Sequence, residues 1–339
     1  MSRRLVLCCA CLLGAALAAS ADDYRFSGPY TNENLSIFLI HGAKRPLNRA
    51  FLTLEEALAQ NKVVVYETGN VNQLAIENLS TEDVYIQSGD IVKGGQQDRV
   101  FPDDYLLPSK SGKVPIGAFC VEQGRWTRRG AERADRFNAS TNSLPTKSLK
   151  LAARKQQDQG AVWQQVAAAR VELAEAVTVE AGEGGGAGTR AFLASASPTS
   201  MQLALENKKV NDAAGAYIRR LSGIIDKPDV VGYAFAINGK LNSADVYASH
   251  DLFQRMWPKL LKASAMEAVA ERRKNKDKAA PDSAAVRASL AQAEHGRESS
   301  KEIANRLDVV TKETPEALEF ETRDRDEGGA WIHKSYVVK

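Results

Sequence analysis

Apolar and polar positions alternate along this chain on two different periods, and the change of period divides it. Between residues 35 and 121 the apolar residues come in short runs bounded by turn residues. Leu35 to Ile40 (LSIFLI) reads as a buried strand ended by His41-Gly42. Lys62 to Glu67 (KVVVYE) is β-branched and stops at Gly69-Asn70. Asn72 to Glu77, Val84 to Gln87 and Val114 to Val121 follow as strands. The polar stretch Asn78 to Asp83, then Pro102-Asp103-Asp104, Pro108 and Ser111-Gly112, supply the turns around them. One short helix interrupts at Thr53-Leu54-Glu55-Glu56, where Thr53 can accept from the first-turn amides and Glu56 holds the capping-box position.

After Trp126 the period lengthens. Arg128 to Asn142 is charged and poor in aliphatics, which predicts a solvated crossing loop. Val162, Val166, Ala169, Leu173 and Val177 then recur at spacings of three and four, so Leu149 to Val179 reads as an amphipathic helix. Gly182 to Gly188 is a flexible break, and Ser200 to Ile225 a second helix, with Leu203, Leu205, Val210, Ala214, Tyr217, Ile218 and Leu221 as its apolar positions. VVGYAFAI, Asn238-Gly239 and Lys240 to Tyr247 spell a strand, a tight two-residue turn and a return strand. Ser249 is placed to cap a helix from Asp251 to Arg273, which Pro258 would kink or restart. Lys274 to Ser300 reads as a long exposed helix or a mobile arm, and Asp308 to Thr322 and Gly329 to Val338 as the last two strands.

The expectation is an α+β fold: a β-rich N-terminal lobe (sandwich or partial barrel) over residues 22–148, and a helical region over 149–339 with a hairpin, a helix and the C-terminal strands. The two parts can form one domain if the last strands return to the first sheet.

Composition changes this picture chiefly at the N-terminus. Arg3 and Arg4 precede the apolar run Leu5 to Ala18, and Ala19-Ser20-Ala21 fits a small-residue cleavage site, so residues 1–21 read as a cleavable signal peptide. The run is short of the roughly 20 residues a membrane span needs, and no stable span is expected after cleavage. Localisation is expected to be periplasmic or secreted. Removal leaves 318 residues (339 − 21) and lowers the net charge from +3 to +1, as two arginines and no acids are lost. A near-neutral chain offers no electrostatic basis for nucleic-acid binding. Of four cysteines only Cys120 remains, so stability rests on a hydrophobic core without an internal disulfide.

Chemistry concentrates between Val84 and Trp126. Lys93-Gly94-Gly95-Gln96-Gln97-Asp98-Arg99 packs an amine, two amides, a carboxylate and a guanidinium around paired glycines, without the glycine spacing of a P-loop or a dinucleotide fold. Paired glycines can form an anion-binding turn, or a bulge whose side chains brace loops. With Arg125 this segment is the expected ligand-binding surface, suited to a small polar or anionic ligand; a protein partner is also compatible. Cys120 is the candidate nucleophile if Arg99 or Arg125 lowers its pKa, and a small buried hydrophobe otherwise. Asp90, Asp98 and Glu122 are the carboxylates available for acid–base work. His41, His250, His295 and His333 are scattered without metal-ligand spacing, so no metal and no cofactor are expected.

Several strings carry a resemblance. Gly69-Asn70-Val71, Leu74 to Asn78, Gly89 to Arg99 (GDIVKGGQQDR), Phe119 to Trp126 (FCVEQGRW), Trp257 to Leu261 and Trp331 to Tyr336 together resemble the ARPP-1 family, the bacterial ARG and rhodanese-phosphatase-superfamily-associated protein domain. The resemblance covers nearly all of the chain after residue 21. The family name records an association with enzyme domains, so it implies domain identity and brings no catalytic residue with it. The functional expectation is an exported ligand-binding or interaction module with a polar pocket, the alternative a hydrolase or transferase using Cys120, Glu122 or Asp98.

Overall fold

The computed structural model describes residues 20–42, 51–180, 182, 186–194, 198–272, 279–304 and 306–339; the apolar run expected to be a signal peptide and the start of the predicted mobile arm lie outside them. The fold is mixed α+β and is organised by one eight-stranded antiparallel sheet. Its order across is Arg25–Asn32, Leu35–His41, Val230–Ile237, Lys240–Tyr247, Ala330–Val338, Ala317–Asp324, Leu307–Glu313 and Arg297–Ile303. Strands from both ends of the chain therefore share one sheet. Between them, the β-rich segment builds three smaller sheets, of three, four and three strands, without closing a barrel.

The central strands are apolar on both faces because both faces are covered. Leu35–His41 and Val230–Ile237 are buried at every position, as a sheet packed on two sides requires. On one face Phe38, Ile40, Ala234, Ala244, Val246 and Tyr336 meet Val286, Leu290 and Ala293 of the helix Ser283–Glu294. The other face packs Ile37, Tyr233, Phe235, Tyr247, Phe320 and Ile332 against the smaller sheets and the helices Gln159–Glu180 and His250–Glu271.

Local signals held where a side chain could satisfy its own backbone. Asn238 and Gly239 take positive φ (52° and 74°) and close the hairpin, the backbone a type I′ turn demands. Thr53 and Glu56 form the reciprocal capping box, and Ser249 accepts from the Leu252 amide to start its helix. That helix runs unbroken through Pro258; the proline removes only the hydrogen bond that the Gln254 carbonyl would accept.

Other expectations are corrected. Phe137–Ser143, read as part of a solvated loop, is a strand paired with Asp90–Gly94; its polar side chains hid the edge that it satisfies. Val114 to Val121 is two strands, Gly112–Gly117 and Phe119–Cys120, in different sheets. A helix, Gly186–Leu193, occupies the end of the supposed flexible break. Arg297–Ile303 is an edge strand, and Asp308 to Thr322 is split by a turn into two. The helix expected from Leu149 begins at Lys147 and turns at Ala152–Gln156 into one wide π turn, which Gln157 ends at φ 50° before a second helix starts at Gln159. Such π turns re-aim side chains and gather at functional sites. Here the turn carries Arg154.

Candidate functional site

The paired-glycine segment and the Glu122–Arg125 edge do meet, and they meet as a clamp. Arg129 grips Asp98 through both guanidinium arms (2.8 and 2.9 Å), and Ser200 Oγ and the Gly94 amide also donate to it (2.9 and 3.0 Å). Arg125 donates to Glu122 at 2.7 Å and to the carbonyls of Gly94 and Gly95 at 3.2 Å. Arg99 is fully buried; it donates to the Gln97 carbonyl, faces Glu67 at 3.4 Å and lies under Trp126. Lys93 pairs with Glu206 at 2.7 Å, the Gln96 amide donates to Glu67, and Gln97 is buried. Gly95 has no substitute: at φ +54° a Cβ would stand 2.3 Å from the Phe137 ring. Asp98 and Glu122, with no side-chain exposure, are neutralised by arginine, and Asp90 by Lys259 at 3.0 Å. The cations and anions expected to receive a ligand are occupied by each other.

Cys120 pairs backbone to backbone with Arg99, and its thiol is buried and donates to the Val71 carbonyl at 3.6 Å. Burial pushes that thiol up to about 11 against the pull of Arg99. It is protonated at neutral pH, the opposite of what a nucleophilic cysteine needs.

A second polar centre lies under the large sheet, among residues the sequence did not bring together. On Lys240–Tyr247, Ser243 and Asp245 share a face by strand alternation, and Ser335 of Ala330–Val338 stands directly opposite Asp245. His333, two residues earlier, is on that same face and fully buried. Its Nδ1 is 2.8 Å from Asp104 and its Nε2 3.1 Å from Asp245. Asp104 descends from the Pro102-Asp103-Asp104 turn and also accepts from the Ser88 amide (2.8 Å), Thr322 Oγ1 (2.6 Å) and, at 3.5 Å, Arg154. Burial works against charge on all three groups, yet mutual attraction and hydrogen bonding win. The carboxyls of Asp104 and Asp245 are held below their usual range, and His333 is held above its own. With a carboxylate facing each ring nitrogen, both nitrogens donate and the imidazole is the charged form.

Above this bridge is a largely enclosed cavity lined by Gln87, Lys150, Arg154, Ser243, Asp245 and Ser335 among others. Its envelope is about 560 Å³, of which about 40 Å³ is open to the centres of water-sized groups. At roughly 10–15 Å³ per water this admits about three such groups, the size of a compact oxyanion rather than a nucleotide. Arg154 lies over the Phe320 ring at 4.4 Å and its buried Nε has no hydrogen-bond partner; the same holds for Ser243 Oγ. The Lys150 ammonium sits 5.6 Å from the Phe235 ring. Glu267, fully buried, has its carboxyl pushed up by burial against the pull of Lys150. The formal charges of Asp104, Asp245, His333 and Arg154 cancel, and Lys150 adds an ammonium to the cavity wall.

Fold and centre together define an α+β protein with a polar cavity buried against one large antiparallel sheet. The chain belongs to the ARPP-1 family, the ARG and Rhodanese-Phosphatase-superfamily-associated Protein domain, whose model matches residues 23–337. No curated protein and no solved structure matches it.

Proposed function

We propose that this protein binds a small oxyanion, free or as part of a small polar molecule, in the cavity under the sheet. The observation that carries the reading is the pair of buried donors, Arg154 Nε and Ser243 Oγ, left unpartnered at one cavity beside the Lys150 ammonium. Buried donors are almost always satisfied, so two at one cavity call for an acceptor. Lys150 supplies attraction and Arg154 a planar fork suited to an oxyanion. Ser335 and Asp245 select hydroxyls or amides on whatever the anion is attached to. His333, out of contact with the cavity, holds Asp245 in place. Export to the periplasm or beyond belongs to the same reading, supported by the Arg3-Arg4 and Leu5 to Ala18 pattern.

Inorganic phosphate, sulfate and small phosphate monoesters are the probes. At 10 mM one of them is expected to raise the wild-type melting temperature by a few degrees, about 2.7 kcal/mol at a hundred times Kd. Lys150→Met, at a half-buried position, should fold normally and lose that shift. A panel without effect on the wild type, or a shift that survives Lys150→Met, contradicts the proposal.

A further inference from the structure

We infer that Ser27, His41 and Asp229 form a nucleophile–base–carboxylate relay able to transfer an acyl group, at a site separate from the cavity and independent of what it binds. Ser27 Oγ is 2.8 Å from His41 Nε2, and His41 Nδ1 is 3.0 Å from Asp229 Oδ1. Those are the two contacts that activate a serine: the carboxylate fixes the Nδ1–H tautomer, and Nε2 is left to accept the hydroxyl proton.

Three adjacent strands create the alignment. Arg25 pairs with His41 and Ser27 with Leu39, so Ser27 and His41 are diagonal neighbours on one face. Asp229 immediately precedes Val230, which pairs with His41, and its carbonyl accepts from the Gly42 amide at 3.0 Å. The relay is thus fixed by sheet register rather than by loops.

The three side chains differ in burial. The His41 side chain is almost fully buried, Asp229 is 46% exposed, and Ser27 is half-buried beside exposed Gly28 and Pro29. Asp229 stays ionised: the His41 hydrogen bond outweighs a slight burial penalty, and Arg25 at 2.7 Å adds to it.

The strand bulges between Ser27 and Tyr30, and bulges re-aim side chains at sheet edges. Gly28 allows it, since at φ +110° a Cβ would stand 2.7 Å from the Ile37 carbonyl. The Tyr30 hydroxyl, 3.5 Å from Ser27 Oγ, is a side-chain donor close to where an oxyanion would develop.

The open setting suits an activated ester. Ser27 Oγ adds to the carbonyl carbon while His41 Nε2 takes its proton. The bond to the leaving alcohol breaks as His41 returns that proton to the departing oxygen. Water then adds to the acyl-serine ester, again through His41, releasing the carboxylic acid and restoring the serine.

The test is labelling of the full chain with an alkyl fluorophosphonate, read by intact mass and peptide mapping. One adduct is expected, on Ser27, formed with loss of fluoride. It should be absent in Ser27→Ala and at least about 100-fold slower in His41→Gln, the scale of a lost general base. Asp229→Asn, at a part-exposed position where misfolding is not a concern, should also slow labelling about tenfold or more. An unmodified Ser27 in the wild type overturns the inference, and so does a Ser27 labelled equally fast in folded His41→Gln and Asp229→Asn. Either result leaves the three side chains as a brace between strands.

Discussion

Replacing His333 by glutamine is expected to lower the unfolding free energy by about 3–5 kcal/mol, the cost of breaking a buried ion pair from one side. Against a typical total of about 5–15 kcal/mol this is a large fraction. The imidazolium, itself fully buried, donates to Asp104 at 2.8 Å and to Asp245 at 3.1 Å. A glutamine amide can donate to one carboxylate only, and turns its carbonyl oxygen on the other. The two buried carboxylates would then keep, as cations, only Arg154, 3.5 Å from Asp104, and the more distant pull of Lys150 on Asp245. The pH dependence gives a second readout. A histidine raised in the folded state contributes fully below its unfolded value, about 6.5, and loses that contribution as pH rises through the folded value. The lowered Asp104 and Asp245 contribute above the unfolded carboxylate range and lose it as pH falls through their folded values. Wild-type stability should therefore decline on the alkaline side, and the variant should lack that decline. Urea unfolding across pH checks both; a loss under about 1 kcal/mol, or an unchanged alkaline limb, contradicts the bridge.

Asp98→Ala is expected to be of the same size, about 3–5 kcal/mol, for a different reason. Asp98 accepts four hydrogen bonds, two from Arg129 and one each from Ser200 and Gly94. Truncation removes the bidentate partner of Arg129, with 13% of its side chain exposed, beside Arg125 with 10%, and leaves Glu122 facing both guanidinium groups with Glu132 on Arg129 alone. Asp98→Asn keeps the shape and loses only the charge, so it should cost less than alanine. Chemical unfolding of the two variants decides the matter. A fully stable Asp98→Ala would mean that the cluster is a surface for ligands and not a clamp.

What could be read from the sequence was what each segment settles within itself. Asn238-Gly239 fixes its hairpin by backbone preference alone, Thr53 and Ser249 satisfy amides three residues away, and the Val162-to-Val177 stripe needs only one helical face. The clamp residues are legible as a polar concentration, because they lie close in sequence. Their burial was not visible, since Ser200, Glu206 and Arg129 neutralise them from other segments. The cavity was illegible for the same reason on a larger scale: His333 reaches Asp104 across 229 residues and Asp245 across 88. One signal was nevertheless present. Asp245, Glu319, Glu321 and Lys334 stand within strands whose residues are mostly buried on both faces, and all four are buried. A charge in the middle of a two-sided strand must have a partner from elsewhere in the chain.

The most direct measurement is crystallographic location of a heavy oxyanion. Crystals of the wild-type chain soaked in sodium selenate should show an anomalous peak with oxygens about 3 Å from Lys150 Nζ and from the Arg154 guanidinium, and Lys150→Met crystals should lack it. Selenate confined to the outer surface, with only water between Lys150 and Arg154, would contradict the assignment of this cavity as the binding site.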